Sequence, residues 1–173
     1  MKIVLGGGCF WCLEAAYQML RGVEGVQSGY AGGDTPHPSY EAVVQGNTGH
    51  AEVVEVDFDE ATVSLENILN IFWTVHDPTS LNRQGADVGT QYRSVIFYAD
   101  ETQKQVAETS LKEAQKLWDE PIVTSIEPLN MFYPAEEYHK DYFKNHPEQA
   151  YCQIVINPKL AKLRKLHYDL LNQ

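Results

Sequence analysis

Strand-like and helix-like patterns alternate along this chain from Lys2 to its C-terminus, and that alternation restricts the fold more than any other feature. Residues 2–5 form a short apolar run entering three glycines, and residues 9–20 then place Leu13, Ala16, Tyr17 and Leu20 at helical spacing. Residues 23–30 read as a strand, followed by the loop AGGDTPHP. Between Glu52 and Phe58 the period is two: Glu52, Val54, Val56 and Phe58 share one face, and Val53, Glu55 and Asp57 the other. Ser64 is placed to cap a helix carrying Leu65, Ile68, Leu69 and Phe72, which stops near Pro78. Beyond the polar stretch SLNRQGADVGTQYR, too long for an ordinary connection, residues 94–98 read as a strand and 101–118 as a helix. A strand at 122–126, a helix at 134–144 and a last strand at 151–156 follow, and Asn157-Pro158 has the form of a helix start. No repeat or linker divides the chain, so one α/β domain over residues 1–173 is expected, with a mixed sheet and helices packed on it.

Composition sets the class of chemistry. A chain of 173 residues, 43% apolar, can bury a core without staples, and three cysteines make no disulfide scaffold. An odd cysteine count in a chain of this kind points to thiol chemistry. No apolar run approaches a membrane span and the N-terminus lacks a signal-peptide pattern, so a cytoplasmic location is expected. The formal charge of −11 is uneven: up to Val75 two bases face ten acids. That balance disfavours nucleic acid and anionic membrane as partners. The basic cluster Lys159, Lys162, Arg164 and Lys165 fits the solvated face of a C-terminal helix whose apolar stripe is Leu160, Leu163, Leu166 or His167, and Leu170.

The chemistry centres on GGGCFWC, Gly6 to Cys12. At the start of a helix, the Cys9 sulfur faces unpaired N–H groups and the positive end of the helix dipole, which favours thiolate. The glycines permit a sharp turn and close approach of a ligand. Phe10 and Trp11 are core residues or, beside an activated sulfur, walls for a small apolar group. Cys12, three residues on, is within bridging reach of Cys9 or is a small core residue. The glycines lack the lysine and hydroxyl that a phosphate-binding loop requires.

Glu52 opens the alternating strand on its apolar face. Buried there, its carboxyl is protonated near neutrality and can serve as a general acid; at the strand's end, it simply reaches water. His50-Ala51-Glu52 with Cys9 and Cys12 also raises a zinc site, although zinc deaminases carry their C-x-x-C downstream of H-x-E.

GCFW, SGYAGG with P-x-P-S-Y, TGHAE, HDPT, NRQG-x-D-x-GTQYRS, FYPAEEYH and YCQIVINPK, in that order, resemble the A class of peptide methionine sulfoxide reductases. The resemblance implies a two-layer α+β domain with a ferredoxin-like core and extensions. It implies Cys9 as the nucleophile, Glu52 as the acid that protonates the sulfoxide oxygen, and Tyr40 and Tyr92 as hydrogen-bond donors to that oxygen. Asp87 would hold the polar end of the site, Phe10 and Trp11 would enclose the substrate's ε-methyl group, and His139 with nearby Asp141 would give support from behind. The implied substrate is methionine-S-sulfoxide, free or in proteins, reduced through a sulfenic acid at Cys9. Cys152 is the expected resolving thiol, with Cys12 the alternative, and thioredoxin or another dithiol the reductant, without cofactor or metal. The competing readings are a C-x-x-C dithiol oxidoreductase and, more remotely, a zinc-dependent hydrolase.

Overall fold

The glycine run is the end of a central strand. In the computed structural model, which describes residues Met1–Gln173, strand β1 (Lys2–Gly7) leads into helix α1 (Phe10–Tyr17) and strand β2 (Val23–Ala31). Helix α2 (Tyr40–Val44), strand β3 (Ala51–Phe58) and helix α3 (Leu65–Val75) come next. A two-residue hairpin, β4 (Arg83–Gln84) and β5 (Asp87–Val88), precedes strand β6 (Ser94–Tyr98) and helix α4 (Glu101–Gln115). The chain closes with β7 (Ser125–Pro128), β8 (Phe132–Pro134), α5 (Tyr142–Asn145) and α6 (Asn157–Leu166).

Six strands form one sheet in the order β7-β6-β1-β3-β2-β8. Adjacent strands of the inner four, β6-β1-β3-β2, are antiparallel, with α1 and α3 as the crossovers. This is the expected ferredoxin-like core. β7 joins parallel to β6 and β8 antiparallel to β2, which makes the sheet mixed. The two-residue period of β3 sorts its side chains as the sequence predicts. Val54, Val56 and Phe58 join Ile3, Leu5 and Ile96 in the main core beneath α1, α3 and α6. Val53 and Ala51 face the opposite side with Val4, Ala31, Val95 and Phe97. Glu52 therefore shares the helix-covered face with the main core. Ser64 caps α3 as expected, its Oγ accepting from the Asn67 N–H at 3.2 Å.

Four sequence-based expectations fail. Residues 134–144 do not form one helix: Phe132–Pro134 pairs with β2 as an edge strand, and only Tyr142–Asn145 is α-helical. Tyr133 pairs with Tyr30 at that edge, so the tertiary partner overrides local helix preference. Residues 151–156 are not a strand. Cys152–Ile156 is a wide helical turn that runs without a break into α6, and Asn157 has helical angles rather than those of a cap. The alternating apolar residues of QIVI are ambiguous between strand and helix over so short a run. A wide turn also fits Pro158, which has no N–H to give to a carbonyl four residues back. The strand expected at 122–126 lies a few residues later, at Ser125–Pro128. In α6, Leu160 and Leu163 are buried as expected, but Leu166 is exposed and His167 turns inward to bond Thr74.

Candidate active site

Gly8 leaves β1 at φ +96°, and a Cβ there would lie 2.7 Å from the Gln84 side chain, so both the angle and the space require glycine. The next residue, Cys9, is the N-cap of α1. Its side chain is only 8% exposed. Glu52, at 1% exposure, reaches the same helix start, where the Phe10 N–H donates to its Oε2 at 3.1 Å. Register explains the meeting. β1 and β3 are antiparallel neighbours, so the end of one lies beside the beginning of the other.

Burial pushes the Glu52 carboxyl up to about 8, against the Phe10 N–H, which lowers it. The acid is thus mostly protonated at neutral pH, which settles the choice between a buried and a hydrated Glu52. Cys9 departs from expectation. Burial raises its thiol well above the usual range, and the Cys12 hydrogen bond and nearby Glu52 add to the rise; the Trp11 backbone N–H alone opposes them. The helix start is present, but desolvation outweighs it. Cys12 moves the other way: its hydrogen bond with Cys9 lowers it, against burial, with Lys159 and Tyr151 assisting.

Around this pair stand phenols. Tyr40 and Tyr92 are both raised by burial first and by the charge of Glu52 second. Asp87, on β5, accepts from the Tyr151 hydroxyl at 2.7 Å, and that same hydroxyl lies 3.9 Å from the Cys12 sulfur. Phe10 is fully buried, packed against Tyr30, Tyr40 and His139. Trp11 is half-buried and stacks flat on Tyr142, ring centroids 3.7 Å apart at 4°. Its indole N–H donates to His139 Nδ1 at 3.1 Å. His139 is buried rather than a surface helix residue, and it contacts Phe10, Trp11 and Tyr40. Asp141 lies behind it, bonded to Gln18.

Sequence reasoning missed Tyr151, Tyr142 and Glu136, although all lie in the motifs AEEYH, DYF and YCQIV. Glu136 ties two elements of the site together, accepting from the Tyr30 hydroxyl at 2.8 Å and from the Tyr40 N–H at 2.9 Å. Cys152 is fully buried in the main core, in the wide turn beside α1. The charge on Cys12 raises its thiol, after burial, so it neighbours Cys12. His50 has no lone pair for a metal: Nδ1 accepts from the Gly33 N–H at 3.0 Å, and Nε2 then donates to the Thr35 carbonyl at 2.7 Å. A groove of about 720 Å³ between α3, α4 and α6, lined by Trp73, Leu117, Trp118 and Leu166, holds none of these groups.

A family model described as peptide methionine sulfoxide reductase matches residues 1–170. The chain belongs to the peptide methionine sulfoxide reductase family. A Pseudarthrobacter chlorophenolicus relative named peptide methionine sulfoxide reductase MsrA is 56% identical over 169 residues, covering 98% of this chain and 97% of the relative. The crystal structure of reduced Mxr1 from Saccharomyces cerevisiae superposes with a TM-score of 0.83 at 37% identity, covering 88% of each chain. Mxr1 in complex with Trx2 superposes with a TM-score of 0.60 at 27% identity, covering 80% of this chain and 83% of that one. The activity of this reductase is thiol-dependent reduction of methionine-S-sulfoxide to methionine. No helix of the methionine sulfoxide reductase is long and apolar enough to cross a membrane.

Proposed function

We propose that Cys9 is the nucleophile of this reductase and Glu52 its general acid, within one catalytic domain spanning residues 1–173. The observation that carries this is a buried carboxyl, raised to about 8, bonded to the first N–H of the helix that Cys9 caps. Sulfoxide oxygen leaves poorly until it is protonated, so a neutral acid beside a sulfur nucleophile is the pairing the reaction needs. Tyr40 and Tyr92 direct hydroxyls toward the same oxygen. Asp87, fixed by Tyr151, holds the polar end of the site. Phe10 forms the floor and Trp11 the wall for the ε-methyl group, with His139 behind both.

The Cys9 sulfur attacks the sulfoxide sulfur as Glu52 gives its proton to the oxygen. The S–O bond breaks, hydroxide ends on the Cys9 sulfur as its bond to the substrate sulfur breaks, and methionine leaves, so the sulfoxide is reduced by two electrons and Cys9 oxidised by two to a sulfenic acid. A second thiol then displaces water from the sulfenic acid to give a disulfide, which an external dithiol reduces. Cys12 fits this second role better than Cys152. It follows Cys9 by three residues in the first turn of α1, and its interaction with Cys9 lowers its thiol, whereas Cys152 lies in a separate turn of the core. The Mxr1 complex with Trx2 supports thioredoxin as the dithiol. A cytoplasmic location follows on the same reading.

One turnover without reductant tests the resolving step. Cys152→Ser should still give a Cys9–Cys12 disulfide, while Cys12→Ser should leave Cys9 as a sulfenic acid open to dimedone. A Cys9–Cys152 disulfide in the unaltered protein after one turnover would return the role to Cys152.

A further inference from the structure

Glu14 is 1% exposed, carries a carboxylate, and has no part in the chemistry described above. It lies one turn beyond Trp11 on α1. Its Oε1 accepts from the Asp141 N–H at 3.1 Å. Asp141 needs that support. It sits at φ +53°, a left-handed angle that costs a residue with a side chain energy, and it immediately precedes the ring that stacks on Trp11. Gln18, one turn farther along α1, donates to Asp141 Oδ1 at 2.8 Å. Trp11, Glu14 and Gln18 thus follow one another along one face of the helix, and all three grip residues 141–142.

We propose that Glu14 is a positioning residue for substrate recognition: by accepting the backbone N–H of Asp141, it fixes the turn that holds the Tyr142 ring flat against Trp11 and so fixes the wall of the methyl pocket. This rests on the reading of Trp11 as that wall. A buried carboxylate at a strained turn is an expensive way to hold a backbone. Its place is explained by what the turn carries, since a displaced Tyr142 would leave the indole free to rotate about its bond to His139.

The test compares Glu14→Met, which keeps the volume and removes the acceptor, with Glu14→Gln, which keeps an acceptor oxygen. Glu14→Met should raise KM for free methionine-S-sulfoxide about tenfold while leaving kcat and the rate of Cys9 alkylation within twofold. Glu14→Gln should stay within twofold of the unaltered enzyme in all three. In a Tyr142→Ala background, Glu14→Met should add nothing, because both act through one ring. Should Glu14→Met lose the native circular dichroism spectrum, Gln18→Ala carries the test, with a smaller KM rise in the same direction expected. An unchanged KM in Glu14→Met, or in Gln18→Ala where that variant stands in, overturns the proposal, as do additive effects in the double variant. Trp11→Ala separates the two readings. If it leaves KM unchanged, the wall assignment fails; if it raises KM while Glu14→Met does not, only the role of Glu14 fails.

Discussion

Replacing Glu52 by Gln removes the acid while keeping the shape, and the pH dependence of the loss follows from one number. With the carboxyl raised to about 8, roughly nine-tenths of it is protonated at pH 7 and roughly one-tenth at pH 9. General-acid catalysis contributes about 10²–10⁴ in rate, so Glu52→Gln should slow single-turnover methionine formation at least about a hundredfold at pH 7. The ratio of the unaltered rate to the variant rate should then shrink about tenfold between pH 7 and pH 9. Taking the ratio matters, because any other ionisation that affects the rate is carried by both proteins. Rapid-quench measurement of methionine formed per chain, without reductant, reads it directly. A ratio that stays flat across this window, or a variant as fast as the unaltered enzyme, would refute the acid role of Glu52.

The same substitution should stabilise the fold. Glu52 ionises near its ordinary value when unfolded and near 8 when folded, so the folded protein retains a proton the unfolded chain has lost. That costs nothing below about pH 4.5, where both states are protonated, and about 3 kcal/mol at pH 7, so Glu52→Gln should gain about that much at pH 7 and nothing at pH 4, read by urea unfolding. His76 runs the opposite way: burial lowers it to about 4, so stability gained from its neutral form is present above pH 6.5 and lost as pH falls to 4. Over that window the unaltered protein should lose about 3 kcal/mol more than His76→Gln. Gly33→Ala should cost on the order of 3 kcal/mol in the same assay, because a Cβ there meets backbone of His50 at 2.3 Å and of Thr48 at 2.4 Å.

Much of this architecture is legible in the chain because local pattern and tertiary role agree. The alternation from Glu52 to Phe58 gives β3 and the face on which Glu52 lies, while the burial of its carboxyl, which the alternation left open, comes from the packing around α1. Ser64 announces α3 because a cap is a local bond. What the chain conceals is what depends on a distant partner. Phe132–Pro134 becomes a strand only because β2 offers an open edge, and Tyr151 becomes a site residue only because β5 brings Asp87 within 2.7 Å. The pKa of Cys9 is the plainest case. A helix start promises a low value, and only the packed site reveals that burial and a neighbouring acid overrule it.

One experiment bears on the central claim directly: the reduced Cys12→Ser/Cys152→Ser protein, mixed with each epimer of methionine sulfoxide and no reductant. One methionine per chain from the S epimer, none from the R epimer, and a dimedone-trapped sulfenic acid on Cys9 is the predicted result. Methionine formed with Cys9 unmodified, or formed equally by a protein that also carries Cys9→Ser, would contradict it.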